Sequence, residues 1–235
     1  MHSGCPIDDP MCAAHAAIES GAAAWRFVTE VITVAIGTGV GASVAFVVER
    51  AKRKRENQDR QVESINSAIY ALSGAWNDIE IFKKQRLEEA VNSPIPWYCL
   101  HPGPMTPLPP TFDTGELGFL FDGPTANLPA EVRLSLERYY ALRQNLEEYS
   151  KWHLGVAQPR LQKVVIAGGQ ITPQAISDIV GPQAAGILQE AFKGIVQVTA
   201  DVLPHLLKTM SDLRTEGLRR YPKRTFVRIE RVQAT

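Results

Sequence analysis

VITVAIGTGVGASVAFVV, residues 31–48, runs for eighteen positions without a charged side chain. A helix rises about 1.5 Å per residue, so the stretch covers roughly 27 Å, close to the ~30 Å hydrocarbon core of a bilayer. Trp25 precedes it at the level where amphipathic aromatic rings meet the water interface. The stretch therefore predicts a transmembrane helix over residues 25–49.

Basic residues are distributed unequally around this span. Arg26 is the one Lys or Arg before it, whereas five follow it directly: Arg50, Lys52, Arg53, Lys54 and Arg55. The positive-inside rule places the N-terminus outside and the C-terminal domain in the cytoplasm, with the five cations near anionic lipid headgroups. A cleaved signal peptide and a buried helix of a soluble protein are the alternatives. The first carries its charge before the apolar core, and the second rarely extends this far without a charge.

Small residues recur at every fourth position of the span: Thr33, Gly37, Gly41 and Ala45. This spacing lines one face of a helix, and Gly37 and Gly41 form the GxxxG pattern that lets two backbones approach closely. The stripe predicts a homodimer through the transmembrane helix, although small residues are common in membrane helices in general.

The composition limits the other partners. The chain carries 25 Lys and Arg against 25 Asp and Glu, so no overall charge favours nucleic acid. Three cysteines do not make a disulfide framework. In the predicted topology Cys5 and Cys12 lie outside, as a disulfide or as free thiols, and Cys99 stays reduced inside.

Beyond the span, apolar residues recur at spacings of three and four, at Val62, Ile65, Ile69, Leu72, Trp76 and Ile79. Such a heptad seam suits a parallel coiled coil or the core face of a bundle. Later helices offer partners, which favours the bundle. This regular spacing of apolar residues is interrupted at Lys83.

Two further long amphipathic helices are predicted, over residues 128–153 and 182–218. Gly155 and Pro159 should end the first of them. Thr172 should cap a short helix that ends at Gly181. The last long helix contains an internal proline, Pro204, which should kink it.

The predicted fold is all-α: a single transmembrane helix followed by a cytoplasmic up-and-down bundle. A short extracytoplasmic segment covers residues 1–24, the helical domain residues 50–218, and a basic tail residues 219–235.

Residues 93–127 interrupt the helical pattern with eight of the sixteen prolines. Proline fixes φ and lacks a backbone donor, so this segment is neither a regular helix nor a central strand. A free linker would not carry so many large apolar side chains. We expect an ordered excursion pressed against the helices, with a short helix near residues 114–121.

The sequence contains no nucleotide-binding loop, metal-ligand spacing or nucleophile elbow, so we predict no catalytic, cofactor-binding or metal-binding residue and no cofactor. Asp113, Glu116 and Asp122 in the excursion mark where a catalytic site would form. The basic tail is a candidate contact for lipid, nucleic acid or an acidic protein.

The leading functional hypothesis is a non-enzymatic, single-pass membrane protein. Its cytoplasmic domain would act as a scaffold, regulator or sensor through contacts with an unidentified protein partner, while the bilayer holds the anchor. The alternative is a membrane-anchored enzyme or effector with a site between the excursion and the bundle.

Overall fold

The computed structural model describes residues 10–105, 111–168 and 172–228, without the side chains of residues 10–24 and 27–43. Every regular element in these ranges is helical, which confirms the all-α class. Contacts divide the chain into two compact units, Met1–Gln58 and Asp59–Thr235.

The first helix, α1, covers Pro10–Phe82 and has 73 residues. It includes the predicted span, the basic run and the heptad seam. Among the residues that the structure describes, no helix combines the length and apolar character that a membrane crossing requires. Most of the predicted span, residues 27–43 of 25–49, lies outside the described side chains.

A π-helical segment, Lys83–Leu87, joins α1 to the short helix α2 (Glu88–Val91). The backbone N–H of Glu88 donates to the carbonyl of Lys83, five residues earlier. A π turn holds one more residue than an α turn, so it shifts the buried face by one position. Phe82 and Leu87 are therefore both buried although they are five residues apart. The π-helical segment therefore explains why the spacing of apolar residues is interrupted at Lys83.

The prediction that Gly155 and Pro159 end the second long helix is wrong. Helix α4 (Leu128–Trp152) continues through a second π-helical segment, His153–Ala157, into α5 (Gln158–Ile166). Pro159 falls in the first turn of α5, just after the π segment. The missing N–H of a proline is tolerated at that position, so the chain stays helical.

The heptad seam lies inside the bundle of the second unit. Ile65, Ile69, Leu72 and Ile79 are buried, and Val62 and Trp76 pack against the same core. The matching stripes of α4 and the last helix are buried as well. They are Val132, Leu136, Tyr139, Leu142, Leu146 and Tyr149, and Leu188, Ile195, Val202, Leu206, Met210 and Leu213. The seam is used within one chain, as the bundle interpretation requires.

The remaining elements follow the predicted boundaries closely. A 3-10 turn (Pro173–Ala175) and α6 (Ile176–Val180) precede the last helix, α7 (Pro182–Arg220). The hydroxyl of Thr172 accepts from the N–H of Ala175 at 3.3 Å. Gly181 has φ of +89°, which favours glycine, and separates α6 from α7. Pro204 lies within α7 without ending it.

The proline-rich excursion contains α3 (Pro96–Cys99) and a 3-10 helix (Thr114–Leu120) at the predicted place. Among its described apolar residues, five are buried: Trp97, Leu100, Met105, Leu117 and Leu120. Residues 106–110 lie outside the described part. The described parts of the excursion therefore contribute to the hydrophobic core.

Candidate functional site

The five basic residues after the predicted span are exposed on α1. Arg53 Nε donates to Glu49 Oε1 at 2.8 Å, and Lys52 Nζ lies 4.0 Å from Glu56 Oε1. Of the small-residue stripe, Thr33, Gly37 and Gly41 lie outside the described side chains, whereas Ala45 is exposed. The predicted use of both sets, in lipid contact and in helix packing, stays a prediction.

Polar side chains of α4 and the π segment after it hold the excursion by its backbone. The Tyr149 hydroxyl donates to the carbonyls of Trp97 and Leu100, at 2.9 and 2.7 Å. His153 Nε2 lies 2.9 Å from the Tyr98 carbonyl, and the imidazole stacks on the Tyr98 ring with centroids 5.0 Å apart. Burial lowers the pKa of His153, so the ring is held neutral and Nε2 is the donor.

Arg86, in the first π segment, binds the same part of the excursion. Its guanidinium donates to the carbonyls of His101, Gly103 and Pro104. The N–H of Gly103 donates in turn to Ser150 Oγ at 2.9 Å. Each of these hydrogen bonds involves a backbone group of the excursion, so together they fix the excursion in place.

The acidic residues of the excursion do not converge. The Asp113 carboxylate accepts from the N–H of Gly115 at 2.8 Å and caps the 3-10 helix. The Asp122 carbonyl accepts from Arg220 Nη2 at 2.8 Å. Within the described ranges, no group of three His, Cys, Asp or Glu side chains could hold a metal ion.

Arginines at the start of the basic tail are paired within the chain. Arg219 and Arg220 donate to the buried carboxylate of Glu216, at 2.6 and 2.5 Å, and Arg224 pairs with Asp59. The hydrogen bond from Arg219 is the main cause that lowers the pKa of Glu216 to about 2. Much of the tail's charge is therefore neutralised internally.

A cleft of about 590 Å³, with several charged residues in its lining, lies where the end of the excursion meets α4 and α7. Glu131 Oε2 and His205 Nε2 are 3.4 Å apart in it. Lys208 in the same cleft pairs with Asp212 at 2.6 Å. Burial is the first cause that lowers the pKa of His205. The cleft combines an imidazole with carboxylates, the groups of general acid–base chemistry.

An apolar groove of about 1030 Å³ lies between two walls of the bundle. One wall is the end of α1, the first π segment and α2, with Trp76, Leu87 and Val91 among its lining residues. The other is a stretch of α7. Its lining residues are Val196, Thr199, Ala200, Leu203, Pro204 and Leu207.

One wall of the groove includes a π-helical segment, and the other includes a proline within an α-helix. The π segment Lys83–Leu87 contributes Lys83, Lys84 and Leu87, and Pro204 faces it from α7. Proline has no N–H, so the carbonyl of Ala200, four residues earlier, lacks the donor of a regular helix. Ala200 is exposed and also lines the groove.

The groove also contains a buried donor. Trp76 Nε1 has no hydrogen-bond partner among the described residues. An indole N–H can only donate, and leaving such a group unpaired costs about 1–3 kcal/mol. The lining of the groove is mainly apolar, with charged residues of both signs among it.

Three residues that line this groove stand out in the sequence, but the sequence does not indicate that they lie close together. Trp76 was predicted as part of the seam, Lys83 as the site of a slip and Pro204 as a kink. No pattern in the sequence indicates that the slip and the proline face each other across one groove.

The chain matches no protein-family model, no curated protein and no solved structure. Its fold is that of an all-helical bundle protein with an interhelical groove.

Proposed function

We propose that this chain is a single-pass membrane protein without enzymatic activity, whose helical domain acts as a scaffold, regulator or sensor. It would do so by receiving an amphipathic helix of a partner protein in the groove between α1–α2 and α7. The observation that carries this proposal is the groove itself, a long cleft whose lining is mainly apolar and includes charged residues of both signs.

Exposed residues at the end of the predicted span support the membrane anchor. Residues 44–48 are five consecutive apolar positions, and all are exposed. The exposed fractions of Val44, Phe46, Val47 and Val48 lie between 58% and 67%. Five residues cover more than one helical turn, so every face of the helix is apolar here. A helix in water normally has an apolar stripe only, whereas one in lipid is apolar all round.

The dimensions of the groove suit a helix of about three turns. Its lining residues span positions 76–92 on one wall and 196–207 on the other, roughly 24 and 16 Å at 1.5 Å per residue. A partner helix would place residues at spacings of three and four against Leu87, Leu203 and Leu207. Packing of a partner helix requires no catalytic group in the groove, which agrees with a binding function.

Charges on the rim support a peptide rather than a small apolar ligand. Glu80, Lys83, Lys84 and Glu88 border the groove, and Lys83 Nζ lies 3.8 Å from Glu88 Oε1. Both signs are present within two turns. An amphipathic helix carries charged residues beside its apolar face, so it can pair with this rim while its apolar face is buried.

Site-specific photocrosslinking in membranes of the native host tests the groove. Lys84 lines it, whereas the neighbouring Gln85 is exposed without lining it. A photoreactive side chain at position 84 should give a discrete adduct that is absent from position 85. Ala200→Trp, which fills the groove from an exposed position, should abolish the adduct, and Gln197→Trp on the outer face of α7 should not. Equal adducts from both positions would argue against the groove.

Thiol labelling tests the anchor and its orientation. In a variant without the native cysteines, a cysteine at position 10 should react with an impermeant reagent in intact cells. A cysteine at Lys151, which is exposed on α4, should react only after permeabilisation. Release of the chain from membranes by carbonate, or the reverse labelling, would contradict the proposed topology.

The cleft that contains Glu131 and His205 supports a second candidate, a membrane-anchored enzyme. Pro124 and Thr125 from the end of the excursion line this cleft with the Glu131–His205 pair. In this alternative His205 acts as a general base. A panel of ester and phosphoester substrates tests it, with His205→Ala as the inactive variant and the distant His101→Ala as the control. Turnover that survives His205→Ala, or no turnover of any substrate, would count against this alternative.

A further inference from the structure

We propose that a small pocket where the tail crosses α7 binds a phosphate-sized oxyanion, with Arg214 as its main ligand. The pocket has a volume of about 180 Å³. It is lined by Ile69 of α1, by Leu207, Met210, Ser211 and Arg214 of α7, and by Val227 and Arg228 of the tail. This inference does not depend on the proposed helix-binding function.

The pocket exists because the tail is fixed across the bundle. Phe226 is 5% exposed, and its ring lies against Gly217 so closely that a Cβ there would be 2.6 Å from Phe226 Cε1. The side chain of Asn66 completes the attachment. Its Oδ1 accepts from the N–H of Val227 at 3.0 Å, and its Nδ2 donates to the Thr225 carbonyl at 3.5 Å. Val227 and Arg228 are thereby held over α7.

Arg214 is the unusual residue of the pocket. Its Nε is buried, and no hydrogen bond or ion pair of its guanidinium is found among the described residues. A guanidinium is charged at all physiological pH values and carries five N–H donors. A buried charged donor without a partner is costly, and such groups are normally paired. The side chain is therefore suited to an acceptor from outside the described chain.

The neighbouring acids of α7 are already engaged. Asp212 pairs with Lys208 at 2.6 Å, and Glu216 accepts from Arg219 and Arg220. Neither carboxylate is left to neutralise Arg214. The positive charge in the pocket therefore favours an anion.

The chemistry of the lining indicates the class of ligand. A guanidinium fork binds the oxygens of a phosphate or carboxylate in pairs. The Ser211 hydroxyl, which also lines the pocket, adds a further donor. The apolar side chains around these groups exclude water, which strengthens the attraction. The volume admits inorganic phosphate or the phosphate group of a monoester, and excludes a nucleotide base.

Thermal unfolding and isothermal titration of the full-length protein in detergent test the proposal. The probes are inorganic phosphate and O-phosphoserine, with sodium chloride at matched ionic strength as reference. Phosphate should raise the midpoint of unfolding where chloride does not. Arg214→Gln should weaken phosphate binding at least tenfold. Arg133→Gln, which removes one exposed arginine from α4, should leave it unchanged.

Three results would overturn the proposal: equal effects of phosphate and chloride, binding to Arg214→Gln as tight as to wild type, or equal losses in both variants.

A chain shortened after Arg228 adds a further test, since the removed residues include the acid Glu230. Phosphate binding should persist in the shortened chain. Binding by the shortened chain alone would show that this segment, and not an external anion, is the natural occupant. Weaker binding of O-phosphoserine than of phosphate would assign the free ion as the ligand, and tighter binding would assign a phosphate monoester.

Discussion

The Tyr139 hydroxyl donates to Asp78 Oδ2 at 2.5 Å, and both side chains are buried. Arg143 Nη1 lies 3.1 Å from the same carboxylate oxygen and 2.8 Å from the hydroxyl. Burial, followed by the hydrogen bond to Asp78, raises the pKa of Tyr139, so the phenol remains a donor. This buried cluster connects α1 to α4 and fixes how the two helices align.

Removing the phenol should destabilise the bundle. We expect Tyr139→Phe to lower the free energy of unfolding by about 1–3 kcal/mol, because the buried Asp78 carboxylate loses one of its donors and Arg143 loses an acceptor. Tyr140→Phe is the matched control, since the neighbouring ring is 37% exposed; its effect should stay within about 0.5 kcal/mol. Urea unfolding of both variants gives the comparison. Equal effects would show that the hydrogen bond adds no stability.

His153 should make the bundle less stable in acid. Its pKa is lowered in the folded chain, so the unfolded chain binds a proton more readily. Stability should fall as the pH drops below about 6.5, the ordinary value for histidine. His153→Gln can retain the hydrogen bond to Tyr98 and should reduce this dependence. Unfolding midpoints at pH 7.5 and 5.5 measure it, with His205 supplying the remaining slope. An unchanged slope in the variant would refute the assignment.

Glu216 should contribute a separate loss of stability at lower pH. Its pKa is lowered from 4.5 to about 2, so its contribution is complete above 4.5 and lost as the pH falls towards 2. The shift corresponds to roughly 3 kcal/mol. Glu216→Gln should be less stable than wild type at pH 6, and the two should converge near pH 2. A constant difference across this range would indicate that the carboxylate charge is not involved.

The excursion should contribute strongly to stability through its buried aromatic residue. Trp97 is 8% exposed, so Trp97→Ala should cost about 3–5 kcal/mol. Phe119 packs against the core while partly exposed, and its truncation should cost less. Phe121→Ala is the control, because that ring is 58% exposed. Unfolding free energies of the three variants should follow this order. Effects within about 0.5 kcal/mol at Trp97 would indicate a loose linker.

The small-residue stripe should mediate self-association of the predicted span. Replacing Gly37 and Gly41 by isoleucine adds bulk where backbones would approach, so the dimer signal of a genetic reporter should fall. Gly39→Ile is the control, because position 39 points to another face of the helix. The heptad seam is used inside the bundle, so a dimer would be confined to the span. A wild-type signal no higher than that of the double variant would exclude the dimer.

The all-α class, the heptad seam, the cap at Thr172 and the start of α7 at Pro182 could be predicted from the sequence. These features depend on local periodicity or on a residue's own backbone preferences, which the sequence displays directly. The slip at Lys83 was also visible there, because an extra residue in a π turn changes the spacing of apolar side chains. The sequence alone did not show that a π-helical segment causes this change of spacing.

The tertiary structure alone decided what happens at Pro159 and what faces Pro204. A proline usually ends a helix, but the packing around His153 and Ala157 favours a π turn that keeps the chain helical. The groove and the Arg214 pocket likewise join residues that are far apart in sequence. Their chemistry depends on distances that a linear pattern does not contain, because each helix displays its apolar stripe without indicating which neighbour covers it.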